Sequence, residues 1–263
     1  MTTYLAPTRD MQFALNALAG MEQIAKLPGF EDASPDLVEA VLEEAGKLAS
    51  EVLAPINKTG DQQGSRLVDG EVQVPDGFTE AYQQYIESGW MGISQDPDYG
   101  GQGLPYLVNA AVSEMWNAAN ISFGLNPLLT SGAIEALSAH ADDQLKGIYL
   151  PSMISGEWSG TMNLTESQAG SDLSVVRTKA VPHGDHYLIS GQKIFITWGD
   201  HELTDNVIHL VLARLPDAPA GVKGISLFLV PKFLVDADDS LGERNDVHAV
   251  SLEHKLGVHA SPT

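Results

Sequence analysis

A single change in hydrophobic period, near residue 155, restricts this chain more than any other feature. Before it, apolar residues recur at helical spacing; after it, they alternate or run in short β-branched blocks. There is no internal repeat and no low-complexity tract. The chain has 263 residues, enough to bury one large core or two ordinary ones. The expected fold is α+β. An α-helical bundle domain over 1–157, with an arm at 1–33, precedes an antiparallel β-barrel or sandwich domain over 158–263.

Residues 11–21 form the first helical segment, with Phe13, Leu15, Leu18 and Met21 inward. Ser34-Pro35 then signals a helix start: Ser34 can accept from an orphan N–H group, and Pro35 fits the first helical position. Leu37, Val38, Val41, Leu42, Ala45, Leu48, Ala49, Val52 and Leu53 follow at i, i+3, i+4, i+7 spacing, and Pro55 closes the segment. Asp36, Glu39, Glu43 and Glu44 read as its solvated face. Residues 57–77 are polar and Gly-rich, a hairpin or ordered loop. Residues 78–89 are a short helix. Pro97 and Gly100, Gly101 and Gly103 break any helix there. Helix returns at 107–119, 130–139 and 142–152. Strands are expected at 158–164, 175–181, 186–189, 193–197, 207–213 and 225–230.

Aspartate and glutamate number 35 against 14 lysines and arginines, a formal net charge of −21. A surface that acidic repels phosphate backbones, which argues against nucleic acid as a partner. An anionic ligand would need local help from backbone N–H groups, helix N-termini and a few placed cations. There is no cysteine, so disulfides, thiolate metal sites and cysteine nucleophiles are excluded. The histidines lack metal-ligand spacing, His248, His254 and His259 coming nearest, and no metal is expected. Arg9 has no apolar run behind it, unlike a secretory leader. No stretch approaches the ~20 apolar residues of a membrane span. A soluble, cytoplasmic protein is the expectation.

The stretch best suited to a ligand is Met162-Asn163-Leu164-Thr165-Glu166-Ser167-Gln168-Ala169-Gly170-Ser171-Asp172. A strand runs into a loop of small and hydroxyl residues, then back into a strand. Such a loop offers N–H groups and hydroxyls with little obstruction, which suits a ligand carrying carbonyls and phosphates. By composition alone the plainer reading is a turn. In the same terms Phe195 reads as strand core, Thr165 and Thr197 as ordinary strand residues, and Glu166 as a solvated loop acid. The glycine loop at 100–103 reads as architectural, and Trp90, Trp116, Trp158 and Trp198 as packing residues.

Two linked patterns add weight. Thr165, Glu166, Gly170, Ser171 and Asp172 resemble the Thr-Glu-x-x-x-Gly-Ser-Asp signature of the acyl-CoA dehydrogenase family. Gly191-Gln192-Lys193-Ile194-Phe195-Ile196-Thr197 resembles the family's Gly-x-Lys-x-Trp-Ile-Thr segment, at the expected distance. Tyr99 to Gly103 matches a Tyr-Gly-Gly-x-Gly loop of its helical domain. Tyr4-Leu5-Ala6-Pro7, Asp10-Met11-Gln12-Phe13 and Val52-Leu53-Ala54-Pro55 look like the family's longer-subunit bacterial branch.

The resemblance implies an FAD-dependent enzyme that converts an acyl-CoA to its trans-2-enoyl-CoA and passes electrons to an electron-transfer flavoprotein. It implies that Thr165 faces the flavin, that Met162 and Leu164 line the same edge, and that Gly170 and Ser171 lie where flavin and thioester meet. Ser171 is the expected substrate contact. Phe195 replaces the usual Trp beside the isoalloxazine, keeping the π face and losing the indole N–H. Ile196 belongs to the same cofactor-facing stretch, and Thr197 bonds the flavin's polar edge. The two stretches should be neighbouring walls of one flat slot. In the family the catalytic base lies in a C-terminal helical domain, so none is assigned here and it is expected beyond Thr263. The β domain then reads as incomplete, and the chain as an inactive portion that holds FAD weakly or not at all; a homo-oligomer is expected at full length. An acyl-CoA oxidase or flavin monooxygenase of the same fold is the nearest alternative; a non-catalytic binding or assembly fragment is another.

Overall fold

A computed structural model of the chain describes residues 3–236 and 240–263. The arm comprises α1 (Thr8–Phe13), a π-turn (Ala14–Leu18) and α2 (Met21–Ile24). Met11, Leu15 and Met21 are buried, whereas Phe13 and Leu18 are 64% and 76% exposed. The wider π-turn changes the rotation per residue, which takes these two off the expected face.

Helix α3 (Pro35–Lys47) starts where Ser34-Pro35 predicts. Ser34 Oγ accepts from Leu37 N at 3.3 Å, a cap worth about 1 kcal/mol. Val38, Leu42 and Ala45 are buried, and the four acids of the opposite face are exposed. Pro55 does not end this helical run, contrary to expectation. A π-turn (Leu48–Leu53) leads directly into α4 (Ala54–Gln63), with Pro55 in its first turn. A proline there removes a donor the preceding turn does not need, and the wider turn absorbs the irregularity. Helix therefore extends into the region expected to be loop, stopping at Gly64 (φ 68°). The expected hairpin follows as β1 (Arg66–Val68) and β2 (Glu71–Gln73). Asp69 and Gly70 turn it at φ 51° and 85°, the left-handed pair that tight hairpins favour.

Four longer helices complete this half: α5 (Phe78–Glu87), α6 (Tyr106–Ala119), α7 (Ile121–His140) and α8 (Asp143–Ser155). Helix α7 begins well before residue 130. Asn120 caps it by accepting from Phe123 N at 3.2 Å, and Pro127 sits inside it, where proline content argues for a break. The core is aromatic. Tyr85 meets Trp116 and Phe123 edge-on at 5.0 and 5.8 Å, and Trp90 meets Trp116 at 5.4 Å. All four tryptophans are buried.

The second half is built on a five-stranded sheet: β3 (Trp158–Asn163), β4 (Lys179–His183), β5 (His186–Ser190), β6 (Asn206–Arg214) and β7 (Ile225–Pro231). A ribbon of β8 (Phe233–Val235) and β9 (Leu241–Arg244) stands apart. The pairing is mixed rather than antiparallel throughout. β4–β5 and β6–β7 are antiparallel, but β3 runs parallel to β6 along its length, and Lys179 meets Arg214 in parallel register. A strand has two edges and β7 occupies one, so β3 and β4 share the other, end to end. The long connection between β3 and β6 is what permits the parallel crossing. Two strand expectations fail. A 3-10 turn (Leu173–Val175) delays β4 to Lys179, and residues 193–197 form no strand.

Helix α7 seats directly on β3. Gly160 N donates to Thr130 Oγ1 at 3.1 Å, and a Cβ on Gly160 would lie 2.5 Å from Ala133 Cβ. Only glycine lets helix and strand approach so closely. The halves are also tied at 258–263, where Ser65 Oγ donates to Ala260 O at 2.7 Å and Asp61 pairs with His259 at 2.9 Å. No helix among the described residues is long and apolar enough to cross a membrane.

Candidate functional site

The signature stretch 162–172 leaves the end of β3 and returns towards β4, both on one edge of β6. Glu166 and Ala169 close a tight turn through paired backbone bonds of 3.0 and 2.9 Å. Asp172 fixes its far end by accepting from Ser174 N at 2.9 Å, and that bonding with Ser174 lowers the Asp172 pKa. The turn leaves Gly170 and Ser171 exposed and Thr165 half-buried. Gly170 lies beside the Thr165 methyl group, 3.9 Å from a notional Cβ.

Glu166 is not the solvated loop acid that composition suggests. Its side chain is 4% exposed. It accepts from Arg177 N (2.8 Å), Thr178 N (3.0 Å), Thr178 Oγ1 (2.6 Å), Gln168 Nε2 (2.5 Å) and Lys193 Nζ (2.9 Å). Burial pushes its pKa up, but the bonds from Thr178, the Arg177 amide and Lys193 outweigh it and hold the carboxyl at about 2. A carboxylate so occupied is a staple, not a proton acceptor.

Lys193 is the other end of that staple. It is 7% exposed and also donates to Leu164 O at 3.1 Å. Ile194 N donates to Thr165 O at 3.0 Å, and Thr161 Oγ1 donates to Thr197 O at 2.8 Å. The two signature stretches are therefore stitched side by side. They are neighbours, and the Ile194–Thr165 bond leaves no gap between the two backbones there. They form one continuous shelf. Met162, Leu164, Ile196 and Thr197 are half-buried, and Phe195 is 58% exposed rather than core.

Phe195 and Trp198 both have left-handed backbone, φ 60° and 53°. Such angles at bulky residues cost roughly 1–3 kcal/mol each and persist only where the surroundings enforce them. They also break the alternation a strand would need, which is why 193–197 is not one. Phe195 and Ile196 border a groove of about 1480 Å³ that continues over β7 and the 245–253 segment. Asn163 borders it too, but Met162, Leu164, Thr165, Gly170 and Ser171 do not.

Beneath the shelf lie two groups to which the sequence patterns gave no role. His201 is buried and meets Ser159 Oγ at 2.9 Å. Asp200 is buried with Lys232 at 2.6 Å. Burial lowers the His201 pKa to about 3, against the charge of Asp200, which raises it. His209, bonded to Asn163 at 3.2 Å, is lowered to about 4 by burial in the same way. The one sequence signal for these groups was a cluster of polar residues at 199–206 leading into an apolar strand.

Comparison with known proteins supplies the family. Two sequence models match: acyl-CoA dehydrogenase, N-terminal domain, over residues 36–157, and acyl-CoA dehydrogenase, middle domain, over 161–263. The chain belongs to the acyl-CoA dehydrogenase family. It is 52% identical over 262 residues to a 3-methylmercaptopropionyl-CoA dehydrogenase of Ruegeria pomeroyi, covering 99% of this chain and 45% of that protein. It is 40% identical over 266 residues to a butyryl-CoA dehydrogenase of Syntrophomonas wolfei, covering 99% and 43%. The chain thus spans less than half the length of these curated relatives. Among solved structures, the glutaryl-CoA dehydrogenase–glutaryl-CoA complex superposes with a TM-score of 0.67 at 23% identity, over 86% of this chain and 51% of that one. The acyl-CoA dehydrogenase of Bacillus anthracis complexed with FAD does so at 0.67 and 21%, over 86% and 34%. At such identities the superpositions establish the fold. Members of the acyl-CoA dehydrogenase family are oxidoreductases, and FAD is bound in the Bacillus anthracis example.

Proposed function

We propose that residues 162–171 and 193–197 are the shelf on which an acyl-CoA dehydrogenase seats the isoalloxazine of FAD. The observation that carries this reading is the 3.0 Å bond from Ile194 N to Thr165 O, which joins the two family signatures into one surface. The residues fit the group. Phe195 offers an exposed aromatic face, which a flat ring can cover. Thr165 and Thr197 offer hydroxyls at half-exposed positions, Met162 and Leu164 an apolar edge, and Gly170 an approach free of a side chain. Ser171 is exposed, which leaves its hydroxyl open to the thioester end of a substrate.

FAD, when bound, supplies the hydride acceptor for removal of hydrogen from the β-carbon of an acyl-CoA. The chain's own residues orient the ring, shield one face from water and hold fixed dipoles along its edge. The α-proton must go to a carboxylate elsewhere, since Glu166 is fully engaged as an anion. We therefore expect the 263-residue chain alone to oxidise no acyl-CoA and to hold FAD weakly. Within the whole enzyme we expect a trans-2-enoyl-CoA product, an electron-transfer flavoprotein as acceptor, and assembly as a homo-oligomer.

Titrating FAD with the purified chain, and following quenching of flavin fluorescence, tests the shelf. Phe195→Ala should weaken binding about tenfold, the loss of roughly 1.4 kcal/mol of ring contact. Phe195→Trp should stay within about threefold of wild type, because the π face is kept. Equal affinity for wild type and Phe195→Ala would remove Phe195 from the site. Absence of quenching at any reachable concentration would count against the shelf itself.

A further inference from the structure

The left-handed backbone at Phe195 and Trp198 has to be enforced by something, and the shelf surface is too open to do it. Beneath it, Trp198 is fully buried; its Nε1 donates to Ser122 O on α7 at 3.0 Å, and its N donates to Pro262 O at 2.7 Å. The edge of Trp198 meets the His201 ring at 5.3 Å and 81°. His201 is 1% exposed. Leu203 N donates to its Nδ1 at 3.2 Å, so Nδ1 carries no proton and, in the neutral ring, Nε2 does. Nε2–H then donates to Ser159 Oγ on β3 (2.9 Å). The Ser159 hydroxyl donates to Thr204 Oγ1 (3.2 Å), and Thr204 donates to Asn206 O (2.8 Å). The relay has one consistent direction and ends on β6. Asn126, inside α7, has its Nδ2 3.3 Å from the same Nε2 while its Oδ1 lies buried without a partner; turning that amide end for end sets Oδ1 against Nε2–H as a second acceptor. A single imidazole thus meets α7, β3 and the Trp198 ring beneath the turn that carries Phe195 and Thr197, and reaches the start of β6 through Ser159 and Thr204.

We propose that His201 is a positioning residue for the flavin shelf: as the neutral Nε2–H tautomer it clamps the 195–200 turn against α7 and β3, and so holds Phe195 and Thr197 in place. This rests on the flavin reading above for its purpose, but not for its mechanics. The depressed pKa agrees with a ring that stays neutral while bonded at both nitrogens. The charged groups nearest the ring are Asp200 and Lys232, with His209 beyond them, and the Asp200–Lys232 pair is internally balanced.

The test compares His201→Leu and His201→Gln in the 263-residue chain with added FAD. Leucine fills the space without bonds, whereas glutamine keeps a donor for Ser159. Amide exchange over 194–200, where Ile194, Trp198 and Gly199 are hydrogen-bonded, reports the clamp without any flavin. In His201→Leu exchange there should quicken roughly tenfold or more, from the loss of the buried bonds to Leu203 N and Ser159, with FAD affinity falling in parallel. His201→Gln should recover most of both. Exchange and affinity unchanged in His201→Leu would overturn the proposal and leave the shelf standing. Faster exchange in a chain whose wild type binds no FAD would support the clamp and sink the flavin reading. Should His201→Leu fail to fold, Ser159→Ala cuts the same relay at its next link, and unchanged exchange there would overturn the proposal equally.

Discussion

Glu166→Gln is expected to destabilise the chain by about 4–5 kcal/mol, and Lys193→Met by about 3 kcal/mol, because each leaves half of a buried ion pair behind. The order follows from what remains. Without Lys193, Glu166 keeps its bonds from Gln168, Thr178 and the Arg177 and Thr178 amides. In Glu166→Gln the buried Lys193 ammonium loses its counter-charge and keeps only neutral acceptors, Leu164 O and the amide oxygen, while the new N–H₂ faces donors such as the Arg177 amide and Gln168. Urea titration, with slopes equal to wild type, gives both values. Losses of less than about 0.5 kcal/mol in both variants would mean that the pair behaves as a surface contact. The same carboxyl has a pH signature. Its folded pKa of about 2 lies below its ordinary 4.5. The stability it contributes is complete above the ordinary value and is lost as pH falls towards 2. Wild type should therefore lose more stability than Glu166→Gln between those limits.

Gly101→Ala should cost about 3 kcal/mol or more, the upper range for forcing atoms into a filled space. A Cβ there would lie 2.1 Å from Gln95 O and 2.8 Å from Asp96 N, and both are backbone atoms. Neither can swing aside, because Gly101 N already bonds Asp96 O (2.9 Å) and Gly103 N bonds Gln95 O (3.0 Å). Its neighbour is the control. Gly100 has φ 94° with nothing near its notional Cβ, so Gly100→Ala meets only backbone strain, about 1–2 kcal/mol. Thermal melts of the two variants decide the matter, and a larger loss at Gly100 would contradict this account. The glycine loop is architectural for a reason composition does not reveal: two chain segments touch there.

What the sequence made legible was periodic or locally capped. The Ser34 cap, the hydrophobic stripe of α3 and the β3, β5, β6 and β7 strands lie close to where pattern puts them, because period and cap chemistry act within a few residues. What pattern missed was set at a distance. Pro55 reads as a helix end, yet a π-turn carries the helix past it, and α7 starts at the Asn120 cap, well ahead of the expected residue 130. Residues 193–197 alternate like a strand, yet the stitching to Thr165 and the burial of Trp198 bend them into a turn. Antiparallel pairing was the natural guess for short strands, but the choice of partner for β3 is tertiary. At the candidate site the motifs picked out two stretches that the fold stitches together. They did not reveal that Glu166 and Lys193 pair, nor that His201 lies underneath, because neither relation can be seen without folding the chain.

The parallel alignment of β3 with β6 has a kinetic corollary. Every residue of the shelf after Asn163 lies within the crossing that this alignment closes, and closing a connection of such length costs chain entropy before any contact rewards it. Pairing β3 with β6 is therefore an expected slow contact in folding, and it anchors both ends of the segment that holds the shelf. A compound that recognises the shelf recognises the folded chain, and acts on the folding equilibrium by mass action, as a brake on opening more than as a template for collapse.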